Sequence, residues 1–141
     1  MKRLRVLIAT LLVLFAIGFP LRSLAQPQPV DLAAAVNYQH WSATGEWLAG
    51  DHALDVYAQA LAKRMADAGF LAHSTVSVLL GCQWGVVGEN IGKGPSVDTI
   101  VAAFMASPPH ALNITADFTH IGVGLVEQGG SLWAVAIFAK G

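Results

Sequence analysis

Apolar side chains recur along this chain with two different periods, and the changes of period divide it into elements. From Leu54 the apolar positions step through Ala58, Leu61, Met65 and Ala68, while Asp55, Gln59, Lys63 and Asp67 fall elsewhere. Such steps place one apolar stripe on a helix, which Asp51 begins as N-cap and Gly69 ends. Val97, Ile100, Val101, Phe104 and Met105 repeat the spacing after Ser96, another capping residue, with Asp98 in the positive first turn. Ser107-Pro108-Pro109 ends this helix, because a residue before proline avoids the helical region. The same prolines suit the first turn of a new helical segment capped by Ser107, which would bring Ser107 and His110 close together. An earlier helix is predicted from Asp31 as cap to about Trp41, on the spacing of Leu32, Ala35 and Val36.

Elsewhere the period is two, or absent. Thr119, Ile121, Val123 and Leu125 alternate on one face, Glu127-Gln128-Gly129-Gly130 turns the chain, and 132–139 returns as a strand apolar on both faces. A strand of that kind has to be covered on both sides, and amphipathic helices are available to cover it. The predicted class is therefore α+β, with a small antiparallel sheet between helical layers. Between Phe70 and Gly85 there is no clean period, and a strand is predicted through Glu89 to Ile91 after the apolar pair Val86-Val87. Ser42 to Gly50 reads as a loop, with Trp47 and Leu48 packed down onto the domain.

The N-terminal segment follows different rules. Lys2, Arg3 and Arg5 precede an uncharged run from Val6 to Phe19, Pro20 interrupts it, and Ser23-Leu24-Ala25 offers small residues ahead of Gln26. Residues 1–25 are expected to be a cleaved signal peptide and 26–141 a single extracytoplasmic domain. Much of the 55% hydrophobic content sits in that leader, and beyond it no apolar run is long enough to span a membrane. Cleavage would leave only Lys63, Arg64, Lys93 and Lys140 against all nine acidic residues, so a nucleic-acid partner is not expected. Cys82 is the only cysteine, which excludes a disulfide within the chain and leaves two readings, a small buried apolar residue or a bridge to another chain.

Ionisable residues are scarce enough in this domain that those beside apolar segment ends stand out: His73, Glu89 and His110. Two imidazoles and a carboxylate form a ligand set that suits zinc, with a fourth position left to water. The plainer alternative has each histidine capping a helix end or bonding a carbonyl, and Glu89 fastening its strand to a loop. Ser107, His110 and Glu89 also have the residue types of a nucleophile, base and orienter, although no nucleophile-elbow motif surrounds Ser107. His40, His52 and His120 read as surface or satisfied interior groups, Asn90 as structural, and Asn113-Ile114-Thr115 as a chance match to the glycosylation pattern.

Four short runs carry a family resemblance. Phe70-Leu71-Ala72-His73-Ser74, Gly88-Glu89-Asn90-Ile91, Phe104-Met105-Ala106-Ser107-Pro108-Pro109-His110 and Ile121-Gly122-Val123-Gly124 resemble, in order and approximate spacing, the CAP superfamily in its short bacterial form. This is the SCP-like extracellular domain of cysteine-rich secretory proteins, antigen 5 and pathogenesis-related 1 proteins. The resemblance covers essentially all of 26–141 and implies an α-β-α sandwich with a cleft lined by two histidines and acidic residues, where some members bind a divalent metal such as zinc. His73, Glu89 and His110 match those cleft positions. Ser107 stands where animal members place a second glutamate, which implies a less anionic cleft. Asn37-Tyr38-Gln39-His40 replaces the usual Asn-x-x-Arg element, and Phe104 replaces a tryptophan.

The resemblance implies a secreted protein that acts outside the cytoplasm by binding a lipid, a small molecule or a metal in the cleft of His73, Glu89, Ser107 and His110. A second reading is a zinc-dependent hydrolase, with the metal on His73 and His110 and Glu89 as the catalytic candidate that orients or deprotonates its water. A third is a cell-surface interaction protein that uses exposed aromatics of the Trp41-to-Trp47 stretch.

Overall fold

The strand that is apolar on both faces is the centre of the molecule. The computed structural model describes residues 27–75 and 84–141. The predicted leader, its cleavage point and Cys82 lie outside the described residues. Four helices and four strands follow along these residues: α1 (Pro29–Thr44), β1 (Ala49–Gly50), α2 (His52–Ala68), β2 (Val86–Gly94), α3 (Val97–Ala106), α4 (Pro108–Thr115), β3 (His120–Gln128) and β4 (Ser131–Lys140). The strands form one sheet in the order β1-β3-β4-β2, so β4 is interior and β2 is an edge. β2, β4 and β3 are antiparallel, as expected, and the two-residue β1 adds a parallel pair, Ala49 with His120 and Gly50 with Ile121.

Alternation along β4 sorts the core into two layers. Leu132, Ala134, Ala136 and Phe138 pack with α1, α3 and α4 through Leu32, Val36, Ile100, Phe104 and Ile114. Trp133, Val135, Ile137 and Ala139 pack on the other face against Leu54, Ala58, Leu61 and Met65 of α2. Every side chain from Ala134 to Ala139 is fully buried. Each large one among them contributes about 1.5–3 kcal/mol by leaving water, and that is available only because helices cover both faces. The chain is thus the three-layer α-β-α sandwich expected of its pattern.

α2 lies unusually close to β3, and two glycines permit it. A Cβ built on Gly122 would sit 2.3 Å from the Leu54 carbonyl carbon, and one on Gly124 2.3 Å from the Ala58 carbonyl. At that separation α2 occupies the outer edge of β3 beyond β1. Asp55 accepts from the Val123 N–H (2.8 Å), and Gln59 accepts from the Leu125 N–H (2.9 Å) while donating to the Leu125 carbonyl (3.1 Å). The polar residues beside the α2 stripe therefore satisfy strand backbone that would otherwise be open to pairing with another chain.

The predicted ends hold for α2 and α3: Asp51 accepts from the Leu54 N–H, Ser96 from the Thr99 N–H, and Gly69 closes α2. α1 begins earlier than expected. Pro29 takes the first turn after Gln28, and Asp31 bonds back to the Gln28 N–H (2.8 Å) from inside the helix. Of the Trp47–Leu48 pair only Leu48 is buried, clamped by Asn37 through both its N–H (2.8 Å) and its carbonyl (2.9 Å). Trp47 is exposed and stacks on Trp41, with ring centroids 5.6 Å apart.

Candidate functional site

β2 pairs only with β4, and its free edge is where the candidate residues meet. Glu89 lies opposite Ile137, so its side chain leaves the sheet on the α2 side; Asn90, opposite Ala136, leaves on the side of α3 and α4. His73 arrives from the α2 layer. Gly69 turns the chain out of α2, and the extended residues that follow bring His73 and Ser74 over β2. His110 arrives from the other layer, in the first turn of α4, which the prolines start immediately after Ser107.

The Glu89 carboxylate is almost fully buried, its side chain only 2% exposed, and it faces three donors. Oε1 receives the Ser74 N–H (2.9 Å) and stands 2.8 Å from His73 Nδ1; Oε2 receives the Ser74 hydroxyl. Buried carboxylates need such partners, and here they also fix the direction of the His73 ring. The ring itself remains exposed.

His110 is held differently. Its Nδ1 lies 2.8 Å from Ser107 Oγ, and its ring stacks on Phe104 with centroids 5.3 Å apart. Ser107 and His110 do come together as expected, but the hydroxyl makes no cap bond to the backbone of α4. Burial, and then the nearby His73, lower the His110 pKa below its ordinary 6.5. Both effects disfavour the imidazolium and so favour neutral His110 at physiological pH.

A second set of bonds joins the two sides of the edge. Asn90, fully buried, donates to the His110 carbonyl (3.0 Å) and accepts from Asn113 (2.9 Å), which also reaches the Glu89 carbonyl (3.3 Å). Strand and helix start are thereby locked in register. Gly88 leaves room for Asn113, whose Oδ1 lies 2.9 Å from where a Cβ would stand.

His73, Glu89, Ser107 and His110 thus gather at one edge, as two hydrogen-bonded pairs. The Ser107–His110–Glu89 relay is not assembled, because the carboxylate turns to His73 and Ser74. Among the described residues no three His, Cys, Asp or Glu side chains are placed to hold a metal ion. Ser74 and Asn113 were not singled out by sequence reasoning. A serine beside a histidine carries no signal of its own, and Asn113 showed only as a chance glycosylation match. His40, read as a surface or a satisfied interior group, is the second: it is buried, with Nδ1 2.8 Å from the Ile114 carbonyl.

A cavity of about 460 Å³ adjoins the site, with His73 and Ser74 in its wall. A larger hollow of about 740 Å³ between α1 and α2 contains none of the four candidate residues. No helix among the described residues is long and apolar enough to cross a membrane.

Comparison with known proteins agrees with this architecture. The model of the cysteine-rich secretory protein family, CAP, matches residues 46–138. The uncharacterized protein YkwD of Bacillus subtilis is 34% identical over 100 residues, 64% of this chain, and the chain spans only 38% of that relative's length. Among solved structures, an outer surface protein of Borrelia burgdorferi superimposes with a TM-score of 0.70 at 18% identity, over 79% of this chain and 90% of that one. An extracellular SCP-domain protein of Bacillus anthracis gives 0.67 at 19% identity, over 83% and 45%. Venom allergen-like protein 4 of Schistosoma mansoni gives 0.59 at 15%, over 79% and 84%. At these identities the structural matches speak for the fold.

Proposed function

Because the chain belongs to the CAP, or cysteine-rich secretory protein, family, we propose that it acts outside the cytoplasm by binding, with the edge of β2 that carries His73, Glu89, Ser107 and His110 as its working centre. The extracellular and outer-surface settings named for its structural neighbours support the location. The observation that carries the binding role is the pairing of each imidazole through Nδ1, to Glu89 and to Ser107. In the tautomer that donates Nδ1–H, to the Glu89 carboxylate from His73 and to the Ser107 oxygen from His110, Nε2 keeps its lone pair for a ligand, and the lowered pKa of His110 keeps its ring neutral.

Binding is favoured over zinc-dependent hydrolysis by the state of Glu89. Both its oxygens are engaged by His73 and Ser74, so it suits orienting a histidine better than ligating a metal or activating a water. Two imidazoles alone fall short of the three protein ligands usual at a catalytic zinc. The test is analysis of metals and small molecules that co-purify with the wild type, His73→Ala and His110→Ala. A species carried by the wild type and depleted several-fold in both variants is expected; recovery equal in all three overturns the proposal.

A separate observation favours a contact surface as a second reading. Tyr38, Trp41 and Trp47 are 56%, 42% and 60% exposed and touch in series. Partner recovery that falls for Trp47→Ala but not for His73→Ala would support it, and the reverse would remove it.

A further inference from the structure

One buried histidine has a ring nitrogen that the fold leaves unused. His40 is 2% exposed, and its Nδ1 lies 2.8 Å from the Ile114 carbonyl. A carbonyl oxygen only accepts, so Nδ1 carries a proton and, in the neutral ring, Nε2 carries a lone pair. No group among the described residues bonds to that Nε2. Nor is it sealed from solvent, because among the described residues only Trp133 Nε1 is a side-chain nitrogen or oxygen both unpartnered and shut away. Nε2 therefore opens on the hollow of about 250 Å³ that His40 lines with Thr44, Glu46, Thr115, Asp117 and Phe118.

The polar side chains around that hollow offer acceptors and no free donor. The Thr44 hydroxyl donates to the His40 carbonyl (2.8 Å) and the Thr115 hydroxyl to the Ala111 carbonyl (3.0 Å), one turn back in each helix, so both protons are committed. The Thr44 oxygen takes the Glu46 N–H (3.1 Å) and keeps a second lone pair. Glu46 is exposed and, among the described residues, has no ion pair; Asp117 gives one oxygen to Lys140 and keeps the other. α1 and α4 both end here, at Thr44 and Thr115, with no basic residue in either last turn to offset the negative ends of their dipoles. None of His73, Glu89, Ser107 and His110 lines this hollow, so it stands apart from the β2 edge.

We propose that this hollow binds a primary ammonium group, whose three N–H donors go to His40 Nε2, the Glu46 carboxylate and a threonine oxygen. Such a group brings positive charge and three donors to a place that holds negative charge and acceptors, and hydrogen bonds from a charged donor are the stronger kind. A quaternary ammonium would bring the charge alone. The volume lies below the roughly 300–1,000 Å³ of pockets for drug-sized ligands, which suits a small free amine or the end of a longer chain such as a lysine.

The test titrates the purified, isotope-labelled protein with n-butylammonium and with tetramethylammonium, of equal charge and similar size, following the His40 imidazole nitrogens and the backbone amides. Butylammonium is expected to bind at least about fivefold more tightly, the worth of one hydrogen bond, and to move the His40 Nε2 resonance. Because a change at buried His40 risks the fold, the variant is made at the rim: Glu46→Gln should weaken butylammonium about two- to fivefold. Glu127→Gln, which removes the same charge from an exposed position near the β3–β4 turn, should not. Equal affinity for the two cations, an unmoved His40 Nε2, no loss in Glu46→Gln, an equal loss in Glu127→Gln, or no binding overturns the proposal. A further arm with Nα-acetyl-lysine methylamide separates the sources: binding at least as tight as that of butylammonium assigns the hollow to a lysine of a protein partner, and weaker binding assigns it to a free amine.

Discussion

Replacing Gly122 by alanine tests the close approach of α2 to the sheet. The new methyl would stand 2.3 Å from both the carbonyl carbon and the Cβ of Leu54, against ordinary contacts of 3.4–4 Å. Neither neighbour is a flexible side-chain end, so relief requires α2 to move off β3 by more than an ångström. Overpacking of this kind costs about 1–3 kcal/mol. The same movement stretches the two bonds from the Val123 N–H to Asp55 and from the Leu125 N–H to Gln59, at about 1 kcal/mol each. A total of about 3–5 kcal/mol is a large part of the stability of a domain this size. Urea unfolding reads it out: with a slope near 2 kcal/mol per molar, the midpoint should fall by about 2 M. Gly50→Ala is the control, since nothing lies within 4 Å of its added methyl, and its cost should stay within about 0.5 kcal/mol. A Gly122→Ala midpoint within about 0.3 M of the wild type would refute the packing argument.

Three further outcomes follow from the site. Glu89→Ala removes the acceptor of His73 and of both Ser74 donors, and should lower stability by about 2–4 kcal/mol and speed proteolysis between 70 and 75; wild-type values on both counts would contradict the anchoring role. Asn90→Ala leaves the His110 carbonyl without its donor and takes from the Asn113 amide the nearer of its two acceptors, with a loss of about 2–3 kcal/mol in urea unfolding; a loss under about 0.5 kcal/mol would contradict it. The pKa of His110 lies below its unfolded value of 6.5, so as pH falls the unfolded chain takes up the proton first and unfolding is favoured. Between about pH 7.5 and 5, the wild type should lose stability relative to His110→Gln, and a relative gain would contradict the sign.

Much of the layering was legible because β4 cannot be read otherwise: eight consecutive buried residues demand helices on both faces. α2 and α3 were clear because Leu54-to-Met65 and Val97-to-Met105 keep one period between recognisable caps. β1 was not, because two residues carry no period and become a strand only through pairing with β3 and the Asn37 clamp. Asp55 and Gln59 read only as residues off the α2 stripe because their work, satisfying the β3 edge, depends on an α2–β3 separation that Gly122 and Gly124 make available. His73, Glu89, Ser107 and His110 were marked by scarcity and by resemblance. How they divide into pairs was invisible, since it depends on Ser74 and on the lock formed by Asn90 and Asn113.

The proximity of the two imidazoles at the β2 edge is the premise of the whole site, and titration of the His110 ring in the wild type and in His73→Ala tests it most directly. A shared hollow requires a wild-type midpoint below 6.5 that rises when His73 is removed and stops short of the ordinary value, because burial is the larger cause. Identical midpoints in the two proteins would place the histidines in separate surroundings and contradict the site.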